Sequence, residues 1–312
     1  MANEVLIVLI HFNLAAAAAT LAVLLARRPI RERFGAEVAY RLWIGVPIAA
    51  LAALMPPAQA TRIVPPGLGP HFDPIWTASQ DLAHAPAGTL LALWLAGAVI
   101  AILILAACQM RFLAAARRGV AGPAVAGVVA PRVIMPADAE ALFTPEERTL
   151  IRAHERTHID RGDPLTNGII ALAQCLFWFN PMAHLAARTA RLDQELACDA
   201  QVLAHRAGQR RRYAETLLKT QLGGVAAPLG CHWLAGTASH PLEQRIQALR
   251  QPAPDFKRQD HGAIALLCAL AIAAYGAWRA QPSAVAVGMA PDPTPPVETH
   301  HMQAIIIPPV RL

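Results

Sequence analysis

Four apolar stretches constrain this chain more than any other feature, each close to the roughly 20 residues a helix needs to cross bilayer hydrocarbon. They are residues 5–26, which tolerate His11 and Asn13, then 38–55, 89–108 and 262–278. The second is marginal at its start, where Tyr40 and Arg41 belong near an interface, and the fourth is slightly short. Charged residues make up 15% of the chain, against roughly 25% in soluble domains, so the apolar excess suits lipid contact better than a compact soluble core.

Basic residues in the short flanks set the orientation. The connection Arg27-Arg28-Pro29-Ile30-Arg31-Glu32-Arg33 is strongly basic and is expected on the cytoplasmic side. The segment 56–87 holds Arg62 as its one basic residue and is expected outside. Arg111, Arg117 and Arg118 follow the third stretch, and Lys257 and Arg258 precede the fourth. The expected organisation is three membrane helices with a periplasmic loop over 1–108, a cytoplasmic domain over 109–261, a fourth membrane helix over 262–280 and an external Pro-rich tail over 281–312. This is the pattern of a multi-pass bacterial inner-membrane protein with its N-terminus and tail outside. A cleaved signal peptide is the rival for the first stretch, but Met-Ala-Asn-Glu lacks a basic start, so an uncleaved anchor is expected. The net charge of +6 comes with no recognition motif, and no direct nucleic-acid contact is expected. The five cysteines show no C-x-x-C spacing, which points to free or buried thiols.

Within the middle region, Thr144, Pro145 and Glu147 form a helix start: a capping hydroxyl, proline at the first helical position and glutamate three residues after the cap. The helix they open contains His154-Glu155-Arg156-Thr157-His158. Residues four apart lie on one helix face, so two imidazoles can meet one Zn²⁺, while Glu155 reaches water beside it as general base. Only three positions of this pattern are fixed, so a chance match needs to be weighed and a third ligand found.

Asn180-Pro181 opens a second helical stretch to about Arg206, with Glu195 and Asp199 four apart on one face. One can bind metal while the other supports a ligand imidazole from behind. The competing reading is a solvated acidic patch paired with Arg188, Arg191 and Arg206. Cys198 points about 60° away from Glu195 on an ideal wheel and is left out of the site. Asp163-Pro164 is read as the cap of an intervening apolar helix that ends at Phe177, Trp178 and Phe179, either a core helix or one lying against the membrane. His184, Arg188, Arg191 and Tyr213 are the residue types available to stabilise an oxyanion.

The set His154-Glu155-x-x-His158, Asp163, Trp178-x-Asn180-Pro181 and Asp193-x-Glu195-x-Ala197-Cys198-Asp199 resembles the bacterial β-lactam-sensor antirepressor (BlaR/MecR-type) family of membrane zinc peptidases. Tyr213–Leu218 and Leu242–Ile246 are similar to that family's later helices, and the likeness covers roughly residues 1–280. It implies a mostly α fold: four transmembrane helices with a helical zincin-like peptidase domain of gluzincin type between the third and fourth. It implies His154, His158 and Glu195 as zinc ligands, Glu155 as the catalytic base and Asp199 behind a ligand. It also implies cleavage of the protein itself or of a cytoplasmic regulator, such as a helix-turn-helix repressor. Residues 281–312 contain no Ser-x-x-Lys nucleophile, so covalent β-lactam sensing is not expected to carry over. The alternative is a non-catalytic membrane receptor or scaffold that keeps the fold; substrate, stimulus and oligomeric state are not legible.

Overall fold

The computed structural model describes residues 2–55, 62–64, 87–223, 241–250, 255–279 and 285–287. Most of the expected 56–87 loop and 281–312 tail, with His300 and His301, lie outside the described residues. The fold is mostly helical. In chain order the helices are α1 (Ala2–Phe34), α2 (Ala36–Arg41), α3 (Gly45–Ala52), α4 (Ala87–Arg117), α5 (Ala139–Leu142) and α6 (Pro145–Asp160). They continue as α7 (Asp163–Leu176), α8 (Pro181–Ala204), α9 (Arg210–Gly223), α10 (Pro241–Leu249) and α11 (Phe256–Arg279). Strands β1 (Arg62–Val64) and β4 (Val285–Val287) pair in parallel. Strands β2 (Ala124–Ala126) and β3 (Arg132–Ile134) pair antiparallel, with Val125 opposite Val133.

Among the described residues, α1 and α4 are long and apolar enough to cross a membrane. The stretch 262–278 lies inside α11. The stretch 38–55 is not one helix: α2 ends at Arg41, a 3-10 turn covers Leu42–Ile44, and α3 starts at Gly45. The cause is Pro47, which has no N–H for the Trp43 carbonyl and whose ring would clash with it; the chain tightens into a 3-10 turn and places the proline in the first turn of a new helix.

Contacts divide the chain into two compact units. One comprises residues 1–19, 45–94 and 268–312. It contains the β1–β4 pair, and a Cβ on Gly45 would come within 2.9 Å of the Leu270 side chain. The other comprises residues 20–44 and 95–267 and is wider than the expected domain of 109–261, because it takes in the end of α1 and all of α2.

Within that second unit α8 is the central helix, buried on most sides and packed against α2, α6, α7 and α10. Its apolar residues Cys198, Val202 and Leu203 join Leu150, Tyr213, Leu217 and Leu249 in one core. Leu150, at 1% exposure, seats α6 on that core, and burial of such a side chain stabilises by about 1.5–3 kcal/mol. The start of α6 is a complete capping box: the Thr144 hydroxyl accepts from the Glu147 backbone at 3.2 Å, and the Glu147 carboxylate accepts from the Thr144 backbone at 2.8 Å. At the start of α8, the Asn180 side chain accepts from the Met182 backbone at 2.8 Å.

Asp163 corrects the expectation for α7. The cap there is Gly162, at φ 73, a left-handed conformation that glycine adopts without a steric cost. Asp163 is the first helical residue and makes no cap bond, because its carboxylate is engaged by His158 and Arg161. At the other end of α7, Trp178 packs on α4 at Gly97, where a Cβ would come within 2.2 Å of the indole. Leu165, Ile169 and Leu172 leave an apolar stripe of α7 exposed, as a helix against lipid would.

Replacing Thr144 by Ala is expected to lower stability by about 1 kcal/mol, read as the thermal unfolding midpoint of the detergent-solubilised chain. An unchanged midpoint would show that the box contributes nothing.

Candidate metal centre

Helix α6 carries His154, Glu155 and His158, and α8 carries Glu195, Cys198 and Asp199. The structure brings them together. The Nε2 atoms of His154 and His158 face each other at 3.1 Å. One Glu195 oxygen lies 3.4 Å from the His154 Nε2 and the other 3.5 Å from the His158 Nε2. Tetrahedral zinc with bonds of about 2.0–2.1 Å separates its ligand atoms by roughly 3.3 Å, close to each of these distances, with one carboxylate oxygen facing each imidazole.

Each imidazole is oriented by a bond to its other nitrogen. His158 Nδ1 lies 2.7 Å from Asp163 Oδ2, so it carries the proton and donates it to the carboxylate. His154 Nδ1 lies 2.8 Å from the Tyr213 hydroxyl, which itself donates to Asp199 Oδ1 at 2.6 Å. The phenol oxygen is therefore left to accept from His154. In both rings the Nδ1–H tautomer follows from the network, and both Nε2 lone pairs point at the same place. Asp199 thus supports His154 through Tyr213, although its own Oδ1 is also 3.5 Å from Nδ1.

Arg245 of α10 completes the arrangement. Its Nη1 lies 2.8 Å from Glu195, while Nη2 and Nε donate to Asp199 at 2.7 and 2.8 Å. The acidic pair is therefore partnered by Arg245. The sequence carried a signal for it: Arg245 is three residues after Leu242 and four before Leu249, so it lies on the apolar face of α10 and is only 6% exposed. A guanidinium in that position needs buried carboxylates.

Electrostatics at the centre favour a cation. Burial opposes ionisation of Glu195, yet Arg245, His158 and His154 outweigh it and hold its carboxyl well below the usual range. Burial pulls the His158 imidazole down, but Glu195 and Asp163 outweigh it and raise its proton affinity well above the usual value. The negative field that attracts a proton to these nitrogens also attracts a metal ion. Glu155 has His154, His158, Glu195 and Arg245 as its charged neighbours, and burial raises its carboxyl above the usual value, the direction a general base needs.

Cys198 corrects the view from the helical wheel. It is fully buried, with Sγ 3.4 Å from His154 Nδ1 and 3.5 Å from the His154 carbonyl. The wheel measured its angle from Glu195 on α8 alone, whereas the His154 ring crosses from α6 and covers that side too. Ligand-type atoms of His154, His158 and Cys198 lie within 4.8 Å of one another, so a His/His/Cys set is also possible by distance alone. On His154 the thiol meets Nδ1, which Tyr213 also engages, whereas the two Glu195 oxygens meet the Nε2 atoms of both imidazoles; the donor geometry favours the carboxylate. Of the oxyanion candidates, the Tyr213 hydroxyl is committed to His154 and Asp199. His184 and Arg191 meet through Gln174, at 3.2 and 3.0 Å, and join α7 to α8.

A His-Glu-x-x-His helix met by a carboxylate from a second helix is the site of a metallopeptidase-like protein. Residues 113–249 match the family model described as BlaR1 peptidase M56. The chain is similar to the regulatory protein BlaR1 of Bacillus licheniformis, 32% identical over 98 residues, which are 31% of this chain and 16% of that protein. It is also similar to the methicillin resistance mecR1 proteins of Staphylococcus aureus and Staphylococcus epidermidis, 25% identical over 159 residues, 48% of this chain and 26% of each. No solved structure matches. The similarity is to the BlaR1-type peptidase family over the middle of the chain, and the aligned stretches span about a sixth to a quarter of the length of those relatives.

Replacing Arg245 by Met leaves the buried Asp199 carboxylate and the partly exposed Glu195 carboxylate without their shared partner. The expected cost is about 3–5 kcal/mol in the metal-free protein, measured by denaturant unfolding. A cost below about 1 kcal/mol would mean that water replaces the guanidinium.

Proposed function

We propose that the protein is a membrane-embedded zinc endopeptidase that cleaves itself or a cytoplasmic transcriptional regulator, such as a helix-turn-helix repressor, in signal transduction. The observation that carries this is the meeting of the His154 and His158 Nε2 atoms with both oxygens of Glu195, beside a Glu155 carboxyl raised by burial. His154, His158 and Glu195 hold the metal; Asp163, and Asp199 through Tyr213, orient the two imidazoles. A bound zinc ion supplies Lewis acidity and lowers the pKa of water to about neutrality. Glu155 takes the proton from water and passes it to the leaving amine.

Two contacts support the expected orientation in the cytoplasmic membrane. Arg27 and Arg31, from the basic connection after the first apolar stretch, bond to Asp193 of α8, as segments on one side of a membrane are free to do. Strand β1, from the loop between the second and third stretches, pairs with β4 of the tail, which fits a common location outside. A non-catalytic receptor has no need of a base beside the three donors.

The Glu155→Ala variant is expected to keep one zinc per chain by elemental analysis and to lose cleavage by about 10²–10⁴-fold. The substrate is sought by comparing wild-type and Glu155→Ala cells by proteomics for a regulator cut only in the former. Unchanged cleavage in the variant, or wild-type protein without zinc, would sink the assignment. Glu195→Ala is expected to lose zinc and Cys198→Ser to retain it; the reverse result would assign the third ligand to the thiol.

A further inference from the structure

We infer that the connection between α1 and the second apolar stretch is a positioning element for the metal centre, acting through the phenol of Tyr40 on Asp163 and hence on His158. The inference rests on the reading of His158 as a zinc ligand and extends it to a segment outside the peptidase helices.

Asp163 is 1% exposed, and both of its oxygens are engaged. Oδ2 takes His158 Nδ1 at 2.7 Å and Arg161 Nε at 3.2 Å, and Oδ1 takes the Tyr40 hydroxyl at 3.3 Å. A carboxylate held on one oxygen still turns about its Cβ–Cγ bond. Contact on the second oxygen fixes its plane, and with it the direction of the bond that orients the imidazole.

Tyr40 is itself held by Gln194 and Arg161. Gln194 donates to the phenol oxygen at 2.9 Å, and Arg161 lies over the ring at 5.0 Å from its centroid. Glu37, one turn earlier on α2, binds the guanidinium of that same Arg161. Gln194 is 2% exposed, immediately precedes Glu195, and accepts from Asn167 of α7 at 3.0 Å. One hydroxyl therefore joins the support of His158 to the helix that carries Glu195.

The same connection grips α8 at a second point. Asp193, two residues before Glu195, accepts from Arg27 at 2.8 Å, Arg31 at 3.4 Å and the Trp43 indole at 2.9 Å. Residues 27–43 are thus tied to the backs of two ligand-bearing elements, and a displacement of this segment bears on Asp163 Oδ1 through the 3.3 Å bond from Tyr40. Tyr40 is a positioning residue and touches no reacting atom.

The test uses the full chain in detergent and two readouts: the zinc dissociation constant, by competition with a chromophoric chelator, and the visible spectrum of the Co²⁺-loaded protein. Tyr40→Phe keeps the ring and removes the hydroxyl. It is expected to weaken zinc binding by about tenfold and to shift the cobalt bands. Thr144→Ala, a comparable loss to the fold remote from the centre, is expected to change neither. In the Asp163→Asn background, Tyr40→Phe is expected to add nothing, since its effect passes through that carboxylate. Wild-type affinity and spectrum in Tyr40→Phe, or additive effects in the double variant, overturn the inference. If Tyr40→Phe does not fold, the partly exposed Glu37→Gln takes its place and is expected to weaken zinc several-fold through Arg161; wild-type affinity there is equally fatal. Wild-type protein that binds no zinc removes the metal-centre reading itself, so the two failures are told apart.

Discussion

Burial of acid on α8 is the constraint on which the unit around the metal centre depends. Asp193 and Asp199 are 1% and 2% exposed, and Glu195 lies between them on the same helix. Carboxylates in such surroundings are stable only when each is paired, because the cost of stripping water from an isolated charge is several kcal/mol. Their cations come from distant parts of the chain: Asp193 pairs with Arg27 and Arg31 near the end of α1, Asp199 and Glu195 share Arg245 on α10, and Glu195 also meets the paired imidazoles. The central helix cannot be buried without assembling these elements around it. Packing and charge pairing therefore select the same arrangement.

The centre is held from behind by two relays of similar logic and different parts. His158 rests directly on Asp163, a carboxylate five residues further along the chain, whereas His154 rests on a phenol that passes the demand for charge to Asp199 and Arg245. Both relays free an Nε2 lone pair and aim it at the same point. Their difference matters for control. The support of His154 belongs to α8, α9 and α10, inside the peptidase helices. The support of His158 reaches out through Tyr40 to a segment that follows a membrane-length helix, so the two imidazoles answer to different parts of the chain.

Much of the centre was legible because its signals are local. Thr144, Pro145 and Glu147 set the start of α6 by short-range hydrogen bonds, and the four-residue spacing of His154 and His158 then fixes their common face. Asn180-Pro181 does the same for α8. Local rules also misled in places. The pair Asp163-Pro164 looks like a cap, but a buried imidazole and Arg161 compete for the carboxylate, and Gly162 takes the capping position instead. The angle of Cys198 on one wheel says nothing of a ring arriving from the facing helix. The stretch 38–55 is apolar enough to suggest one span, yet Pro47 breaks its hydrogen-bond ladder.

The sequence by itself determined the helical elements, the apolar stretches and the residue types at the centre, because periodicity, caps and ligand spacing act over a few residues. Tertiary structure alone decided which distant side chains serve that centre. Arg245 lies 50 residues after Glu195, and Tyr40 lies 123 residues before Asp163. Nothing in the local pattern of either names its partner, since a hydrogen bond between remote residues is set by how helices pack. The same physical reason makes Tyr213 a support for His154, where composition offered it as an oxyanion stabiliser: its hydroxyl is already held at both ends.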